Sequence, residues 1–575
     1  MKRWFLFVIV GSLSTVSLHA QSEDSTSIAT SNSAIRNNGS NSITSEDPTT
    51  ITRSRLSEFM MLDDRTLTFS REYASHTSIW PQLSVIEKVE VRDNSEETPW
   101  TNEHLFDEHP SSWWKRKLFY EHLIHMTGDD WWLNIDPVLN VDAGVQSGIA
   151  DGVISTNQRG GRIAGGIGEQ FRFESTLIES QVFLPEYLDR YVDQRGVMIG
   201  QGIAKPFKTD GWDHRWASGN ISYTPNKHFT FMLGQGKFFY GEGYRSLLLS
   251  DNALNYPYFR IETTFGPFKY VNLWSQMYDT RRVVDLNPGR RRKWISSHYL
   301  SWNVTEKLNL GFYEAVVFGS DTTNGGLDVS YFNPIIFYRP IEDQIGSRLG
   351  NALLGMNGSY KFDGGHTVYG QFILDEFNIE ALRESNGSWL NKFGYQIGYR
   401  YDHSLTRFDR LSLLAEWNEV RPFTYTHKKV LTNYAHYSQP IAHPLGSDFS
   451  EVVLRGAWYH KRWTAELHFS YAIKGLAIEE NGVYYGEGAD LWVGYDSRSR
   501  DDEFGPRDEP STSIMNARAT VAYTINPSWK MDAFFTIGYR SGLVYPYIDR
   551  GQLSGSNTWI SGGVRTTIFR TYSDI

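Results

Sequence analysis

Polar and apolar residues alternate with a period of two in a series of short runs that begins near Trp131. Residues 518–525, for example, read RATVAYTI, and one side of this run consists of Ala, Val, Tyr and Ile. Successive side chains of a β-strand point to opposite faces, so a half-buried strand produces this period. The pattern predicts an all-β fold from residue 131 to the end of the sequence.

Seven pairs of these runs are joined by short polar turns of the kind found in β-hairpins. The turns lie near Pro225-Asn226, Gly266-Pro267, Val304-Thr305-Glu306, Asp363-Gly364-Gly365, Asp402-His403-Ser404, His460-Lys461 and Asn526-Pro527-Ser528. Further strands are predicted at 131–143, at 558–569 and twice within 159–182, with a turn near Gly168-Glu169. The total is about eighteen strands, an even number as in bacterial barrels. If 159–182 formed a single strand, the count would be odd.

Long segments separate the hairpins. They cover residues 184–214, 236–257, 280–292, 319–351, 376–390, 418–448, 474–512 and 540–557. Strict alternation of short and long connections is typical of outer-membrane barrels, with short periplasmic turns and long extracellular loops. A soluble β-propeller or sandwich predicts loops of even length or a repeated blade motif instead. The sequence therefore predicts a transmembrane antiparallel outer-membrane β-barrel of about eighteen strands, with both termini in the periplasm.

The composition agrees with a membrane barrel. The 575 residues include 33 Tyr, 33 Phe and 19 Trp, enough for aromatic girdles at two membrane interfaces. The formal net charge of −10 argues against nucleic acid as a partner. The sequence has no Cys, which excludes disulfides, Cys-based metal sites, Cys nucleophiles and a lipoprotein N-terminus.

The first 130 residues differ from the rest of the chain. Residues 1–20 have the basic start, short apolar run and small final residue of a signal peptide, with cleavage expected after Ala20. Residues 21–55 are rich in Ser, Thr and Asn and are predicted to be disordered. Residues 56–130 are predicted to be an irregular and helical periplasmic segment. Its helix is expected to begin at Ser112 and to end at Gly128.

The long loops contain many residues suited to sugar recognition, in which aromatic faces stack on pyranose rings and planar polar groups bind hydroxyls. The same side chains, placed inside a barrel, could instead pair with one another and plug the lumen. The candidates for these two roles are Tyr240, Tyr244, Arg245, Asp251, Asn252, Asn333, Tyr338, Arg339, Glu342, Asp343, Arg421, Tyr425, Asn433, Tyr434 and His436.

Several of these loops resemble the Wzi-type capsule-assembly outer-membrane proteins, and most closely the RemB-like gliding-motility branch in Bacteroidetes. The resemblance is carried by GEGYRSLLLSDNA at 241–253, DVSYFNP at 328–334, FYRPIEDQIGSRLGNALLG at 337–355, YGQFILDEF at 369–377 and the run 416–449. It implies an eighteen-stranded barrel without enzymatic activity that binds surface polysaccharide. Lipopolysaccharide and a secretion or motility machinery are further expected partners, and no cofactor is implied.

Two other functions remain open from the sequence. One is a porin or export channel for oligosaccharide. The other is a glycan-acting outer-membrane enzyme, which would need two facing carboxylates. The acidic residues considered for that role are Glu242, Asp251, Glu342, Asp343, Asp375 and Glu416.

Two other groups of loop residues have the chemistry of a metal site or an anion site. His427, His436, His443 and Asp448 are spaced like no known zinc motif, which argues against metal. The basic residues at 281–282 and 290–293 are either a solvated loop or a contact for lipid phosphates or an acidic polysaccharide.

Overall fold

The computed structural model describes residues 75–81, 112–280, 291–319, 328–335, 337–338, 340–341, 350–384, 386–406, 409–480, 483–507, 510–543, 554–568 and 570–575. Within these residues, eighteen antiparallel strands form a closed barrel. In chain order, they are β1 (Trp131–Gly148), β2 (Gly152–Ile167), β3 (Phe171–Phe183), β4 (Gly211–Asn226), β5 (Phe229–Gly236), β6 (Tyr256–Phe265), β7 (Phe268–Asp279), β8 (Arg291–Asn303), β9 (Leu308–Phe318), β10 (Gly350–Lys361), β11 (His366–Glu376), β12 (Lys392–Ser404), β13 (Asp409–Val420), β14 (Phe449–His460), β15 (Trp463–Gly475), β16 (Ser511–Asn526), β17 (Met531–Leu543) and β18 (Ser554–Thr566).

Each wall strand pairs with its neighbours in sequence, and β18 closes the ring by pairing with β1, with Val564 opposite Val141. The predicted fold class and even strand count are confirmed. The turn near Gly168-Glu169 is also confirmed, because β2 and β3 form a hairpin around it. With β1 and β18 as the two ends of the series, both ends of the wall lie at the end of the barrel with the short turns.

The period of two has the predicted cause. On β15, for example, Leu467 and Tyr471 face outward and are exposed, whereas His468 and Ser470 face the lumen and are buried. Outward residues of other strands form an apolar belt, which includes Leu233, Leu354, Ile397 and Ile537. An apolar outer surface with a polar interior is the arrangement that a barrel needs in a bilayer.

One connection in the wall differs from the sequence prediction. Strand β1 continues to Gly148 and β2 begins at Gly152, so the connection between them is only residues 149–151. Short and long connections therefore do not alternate strictly at this hairpin. Gly148 allows the reversal, because its φ of 128° is one that other residues rarely adopt.

The helix predicted from Ser112 to Gly128 is shorter than expected. It covers Trp113–Phe119, and Ile124–Thr127 is a strand that pairs with the start of β1. A strand forms here because β1 supplies hydrogen-bond partners for its backbone N–H and C=O groups. Met126, for example, lies opposite Leu133. The other described α-helices are Glu186–Arg195 and Ile379–Glu384. No helix in the described ranges has the length and apolar content needed to cross a membrane.

Short strands and 3₁₀ turns complete the described secondary structure. Lys205–Phe207 extends the wall beside β4, and four two-stranded ribbons form separate small sheets that are not part of the wall. The ribbons are Ile79–Trp80 with Phe239–Tyr240, Val197–Met198 with Gly202–Ile203, Ala435–His436 with Gln439–Pro440, and Ile478–Glu480 with Val483–Tyr485. The 3₁₀ turns are Val329–Phe332, Val430–Thr432 and Tyr495–Ser497.

Four segments fill the lumen. We call them the lumen loop (residues 237–255), the capping loop (421–448), the N-terminal insert (75–81) and the lumen tail (570–575). The lumen loop is at the centre, and the insert pairs with it through Ile79 opposite Tyr240. The tail follows β18 and reaches Tyr244 of the same loop through Tyr572. The predicted signal peptide and the disordered leader at 21–55 lie outside the described residues.

Candidate functional site

A buried ion network joins the lumen loop, the wall and the lumen tail. Arg245 Nη2 lies 2.7 Å from Glu451 Oε1 of β14 and 3.0 Å from Asp574 Oδ2 of the tail. The Glu451 carboxylate also contacts His443 Nε2 of the capping loop at 2.7 Å. All four side chains are buried. Several charged partners and hydrogen bonds compensate the cost of burying these ions, which is large when a charge is left alone.

The lumen loop is anchored on the wall by Glu416 of β13. Its carboxylate accepts hydrogen bonds from the backbone N–H of Tyr244 at 2.9 Å and of Arg245 at 3.1 Å. Tyr369 of β11 donates to the same carboxylate at 2.8 Å. Gly243 permits this approach, because a Cβ at that position would collide with the Glu416 carboxylate. The glycines of the GEGYR motif thus allow the loop backbone to lie against wall side chains.

Glu242, the acidic residue of the GEGYR motif, is also held by contacts with other parts of the protein. Glu242 accepts from Thr77 of the N-terminal insert, and Arg400 of β12 donates to its backbone oxygen at 2.6 Å. Of the remaining carboxylates considered for catalysis, Asp375 accepts from the backbone N–H of Tyr425 at 2.8 Å. Asp251 pairs with Arg570 of the lumen tail at 3.1 Å. These carboxylates are buried and are engaged with protein partners.

Tyrosines bind the capping loop to the lumen loop. Tyr434 donates from its hydroxyl to the backbone oxygen of Leu248 at 2.8 Å, and Tyr425 donates to that of Leu247 at 2.8 Å. The hydroxyls of Tyr434 and Tyr313 of β9 lie 2.6 Å apart. The ring of Tyr240 meets that of Tyr313 edge to face, with centres 5.9 Å apart, and belongs to the same apolar cluster.

Four more candidates hold the capping loop in place. Asn252 donates to the backbone oxygen of Pro440 at 2.9 Å. Asn433 accepts from Lys293 of β8 at 2.8 Å, and Nδ1 of His436 accepts from the backbone N–H of Tyr278 at 3.0 Å. Arg421 is only partly buried and donates to the backbone oxygen of Asn391 at 2.9 Å. The structure therefore brings most of the predicted residues together inside the barrel.

Asn333 and Tyr338 lie elsewhere, in the loop after β9, and Tyr338 is packed near His298 with their rings 4.1 Å apart. Arg339, Glu342 and Asp343 lie outside the described residues, as do the basic residues 281–282 and 290. For the loop residues proposed from the sequence, polysaccharide binding and lumen plugging both stay predictions.

Burial and neighbouring charges shift the pKa values of several side chains in the lumen tail and the capping loop. Burial alone would raise the pKa of Asp574, but Arg245 and His468 hold it well below its usual range. Burial, together with the charge of Lys293, lowers the pKa of His436 to about 3. Burial also lowers the pKa of His427 to about 4. These histidines are neutral at pH 7, and within the described part of the chain no three His, Asp or Glu side chains are grouped to hold a metal.

A partly exposed cluster at the long-loop end was not found from the sequence. The rings of Trp389 and Tyr495 lie 4.7 Å apart, and the Arg498 guanidinium lies 3.8 Å from the Trp389 ring centre. Arg498 Nη2 also contacts Asp501 Oδ1 at 2.6 Å, and Glu487 accepts from the backbone N–H of Ser499 at 3.0 Å. The run WVGYDSRSRDD at 492–502 offered a signal, since it combines aromatic and charged residues inside a long loop.

The closed wall, the outward apolar belt and the filled lumen define an outer-membrane β-barrel. Residues 190–538 match the family model described as capsule assembly protein Wzi. The match spans 349 of 575 residues (190 to 538 inclusive), and the chain belongs to that family. The RemB-like branch stays a prediction. A search of curated protein sequences found no match.

Solved structures of outer-membrane proteins are similar to this chain. One is Wzi of Escherichia coli, described as a carbohydrate-binding β-barrel involved in group 1 capsule assembly. It is 14% identical, with a TM-score of 0.45, covering 74% of this chain and 84% of that one. OccK8 (OprE) of Pseudomonas aeruginosa is 8% identical, with a TM-score of 0.39 and coverage of 75% and 97%. OprD of the same organism is 10% identical, with a TM-score of 0.37 and coverage of 76% and 96%.

Proposed function

We propose that this protein binds capsular or exopolysaccharide at the cell surface and anchors it there without catalysing a reaction. Membership of the capsule assembly family supports the substrate class. The observation that carries the proposal is the rim cluster, which we define as Trp389, Tyr495, Arg498, Asp501 and Glu487. It lies in two of the long loops, which we assign to the extracellular side, with the short turns in the periplasm.

The rim cluster has the chemistry that sugar hydroxyls require. Carboxylates accept hydrogen bonds and a guanidinium donates several in one plane. Arg498 is held between the Trp389 ring, the Asp501 carboxylate and the backbone oxygen of Tyr495, which accepts from Nη1 at 2.9 Å. A side chain fixed in this way loses little conformational freedom when a ligand binds, which favours affinity.

The filled lumen supports an anchor over a channel. The lumen loop and the capping loop are joined to the wall by buried ion pairs and hydrogen bonds, including Arg245 with Glu451. A porin needs a continuous aqueous path. The carboxylates of Glu242, Asp251, Asp375 and Glu416 are buried and bound by protein groups, Thr77 and Arg400 in the case of Glu242. This is also unlike a pair of carboxylates facing a substrate cleft.

The test is direct binding of the detergent-folded protein to polysaccharide purified from the surface of its own host. Wild type is expected to bind saturably, and Arg498→Ala to bind about tenfold or more weakly, because hydrogen bonds to charged groups contribute about 1.5–3 kcal/mol. Arg215→Ala, which removes an exposed guanidinium on the outer wall, is the matched control and is expected to bind normally. Absence of binding by the wild type would overturn the proposal.

Two further measurements address the remaining functions. Planar-bilayer recordings are expected to show no sustained conductance for the wild type, and a steady open pore would instead support the channel. The resemblance to the gliding branch also predicts a role in surface motility. Spreading by a deletion strain, complemented with wild type or with Arg498→Ala, tests that role.

A further inference from the structure

Four polar side chains face outward from the middle of the wall, where the belt is otherwise apolar. They are Asn272 of β7, Ser296 and His298 of β8, and Glu314 of β9. The register places Asn272 opposite His298, and His298 opposite Glu314. Their neighbours Val271, Tyr299 and Tyr313 belong to the lumen core, so these four project from the opposite face of the sheet.

These polar residues lie at the same distance from the short-turn end of the barrel as residues of the apolar belt. Asn272, His298 and Glu314 lie four, five and six residues from the short-turn ends of their strands (268 to 272, 303 to 298 and 308 to 314). On three other strands the residues at the same distances (463 to 467, 526 to 521 and 531 to 537) are apolar. These are Leu467, Val521 and Ile537, exposed by 66%, 47% and 46%.

The polar wall residues are nevertheless buried, because a segment of the loop after β9 covers them. We call residues 328–335, 337 and 338 the outer strap. Tyr338 donates its backbone N–H to Glu314 Oε1 at 2.9 Å, and its ring lies 4.1 Å from that of His298. The backbone oxygen of Pro334 accepts from the hydroxyl of Tyr270 at 2.8 Å.

Three contacts nearer the long-loop end of the same wall continue this pattern. Trp274 Nε1 donates to the backbone oxygen of Tyr331 at 3.1 Å, and the Trp274 ring stacks on Phe332 with centres 4.5 Å apart. Phe318 of β9 stacks on Tyr331 with centres 4.6 Å apart. Tyr270, Trp274 and Glu314 of the wall are therefore hydrogen-bond partners of the strap backbone.

The other side of the strap is apolar and open. Val329, Ile335 and Phe337 are exposed by 78%, 84% and 74%. Inside the strap, Asn333 accepts from the backbone N–H of Ile335 at 3.0 Å, and Asp328 accepts from that of Ser330 at 2.9 Å. Its own side chains and the wall thus satisfy part of its backbone, while large apolar groups point away from the protein.

We propose that the outer strap lies in the outer membrane against the barrel wall, and that Val329, Ile335 and Phe337 contact the acyl chains of the lipids. Irregular backbone is tolerated at membrane depth only where protein groups satisfy it, which Tyr270, Trp274 and Glu314 do here. Large apolar side chains gain free energy from leaving water. The polar wall residues and the apolar strap residues thus have one common explanation.

The test uses the absence of Cys from the sequence, so that one introduced Cys carries a fluorophore at a single site. Ile335→Cys is labelled and reconstituted into vesicles whose lipids carry bromine on their acyl chains. Leu467→Cys on the belt is the lipid-facing control, and Ser499→Cys in an exposed loop is the aqueous control. Heat-modifiable migration on gels verifies that each variant is folded.

The label at position 335 is expected to be quenched by the brominated chains as strongly as that at position 467, and to be shielded from iodide in the water. Quenching by iodide at the level of position 499, without quenching by the lipids, would overturn the proposal. Shielding from both quenchers would also overturn it, since another protein surface would then cover the strap. Neither result depends on polysaccharide binding.

Discussion

Arg245 and Asp574 are separated by 329 residues, yet the Arg245 guanidinium lies 3.0 Å from the Asp574 carboxylate inside the barrel. One residue belongs to the lumen loop and the other to the lumen tail. Their ion pair joins two segments that the wall itself does not connect. It also places the tail beside Glu451 and His443, so that wall, capping loop, lumen loop and tail share one network.

Replacing Arg245 by Leu is expected to destabilise the folded protein by about 3–5 kcal/mol, because Glu451 and Asp574 would be left as buried charges without their cation. Denaturant unfolding in detergent, followed by tryptophan fluorescence, measures the change. Arg215→Leu is the control. Its partner Glu179 is exposed, so the loss there is expected to stay below about 1 kcal/mol. Equal effects of the two substitutions would contradict the network.

The Asp574 ion pair predicts a loss of stability in acid. The folded pKa of Asp574 is held well below the ordinary value of 3.8, so the folded state binds fewer protons than the unfolded state. The stabilisation is therefore complete above the unfolded pKa and is lost as the pH falls through the folded value. The difference in unfolding free energy between wild type and Asp574→Asn is expected to be constant from neutral pH to about pH 5 and to shrink in stronger acid. A difference independent of pH would contradict this assignment.

Gly243→Ala is expected to displace the lumen loop from the wall, because the added Cβ collides with the Glu416 carboxylate. The hydrogen bonds from Tyr244 and Arg245 to Glu416 would lengthen or break. Fluctuating conductance in planar bilayers and faster proteolysis of the loop are the expected signs. Gly152→Ala is the matched control, since a Cβ there meets open space. If Gly243→Ala showed no more conductance and no faster proteolysis than Gly152→Ala, the prediction would be contradicted.

Tyr434→Phe tests the contact between the capping loop and the lumen loop. It removes the hydroxyl that donates to Leu248 and lies beside that of Tyr313. The expected loss in unfolding free energy is about 1–3 kcal/mol, because buried partners remain unsatisfied. Tyr471→Phe, on the exposed outer face of β15, is expected to change stability by less than about 0.5 kcal/mol.

The alternation of side chains predicted the wall because a strand in a bilayer has two chemically distinct faces. Residues 463–475 and 511–526 follow that rule closely. The rule fails where the outward face is covered by protein. Asn272, His298 and Glu314 interrupt the apolar pattern because their environment is the outer strap, and no local sequence period reports a contact made by a distant loop.

The candidate site was predicted only as a set of residue types. Tyr244, Arg245 and Asp251 belong to this set because loops rich in aromatic and charged residues suit either sugar binding or internal pairing. The choice between exposure and burial depends on which way each loop folds, and the sequence carries no direct signal for that. The rim cluster was missed for the same reason, since Trp389 and Tyr495 are 106 residues apart (495 − 389) and meet only in the folded protein.

The pairing of β18 with β1 has a consequence for assembly. The lumen tail follows the strand at that seam, and its contacts with Arg245 and Tyr244 exist only inside a complete ring. Loop closure across most of the chain must therefore precede the gain from the buried ion pairs, which makes these contacts late and slow. A barrel with an open seam would leave the tail and the lumen loop uncovered, so docking of the tail follows closure of the ring.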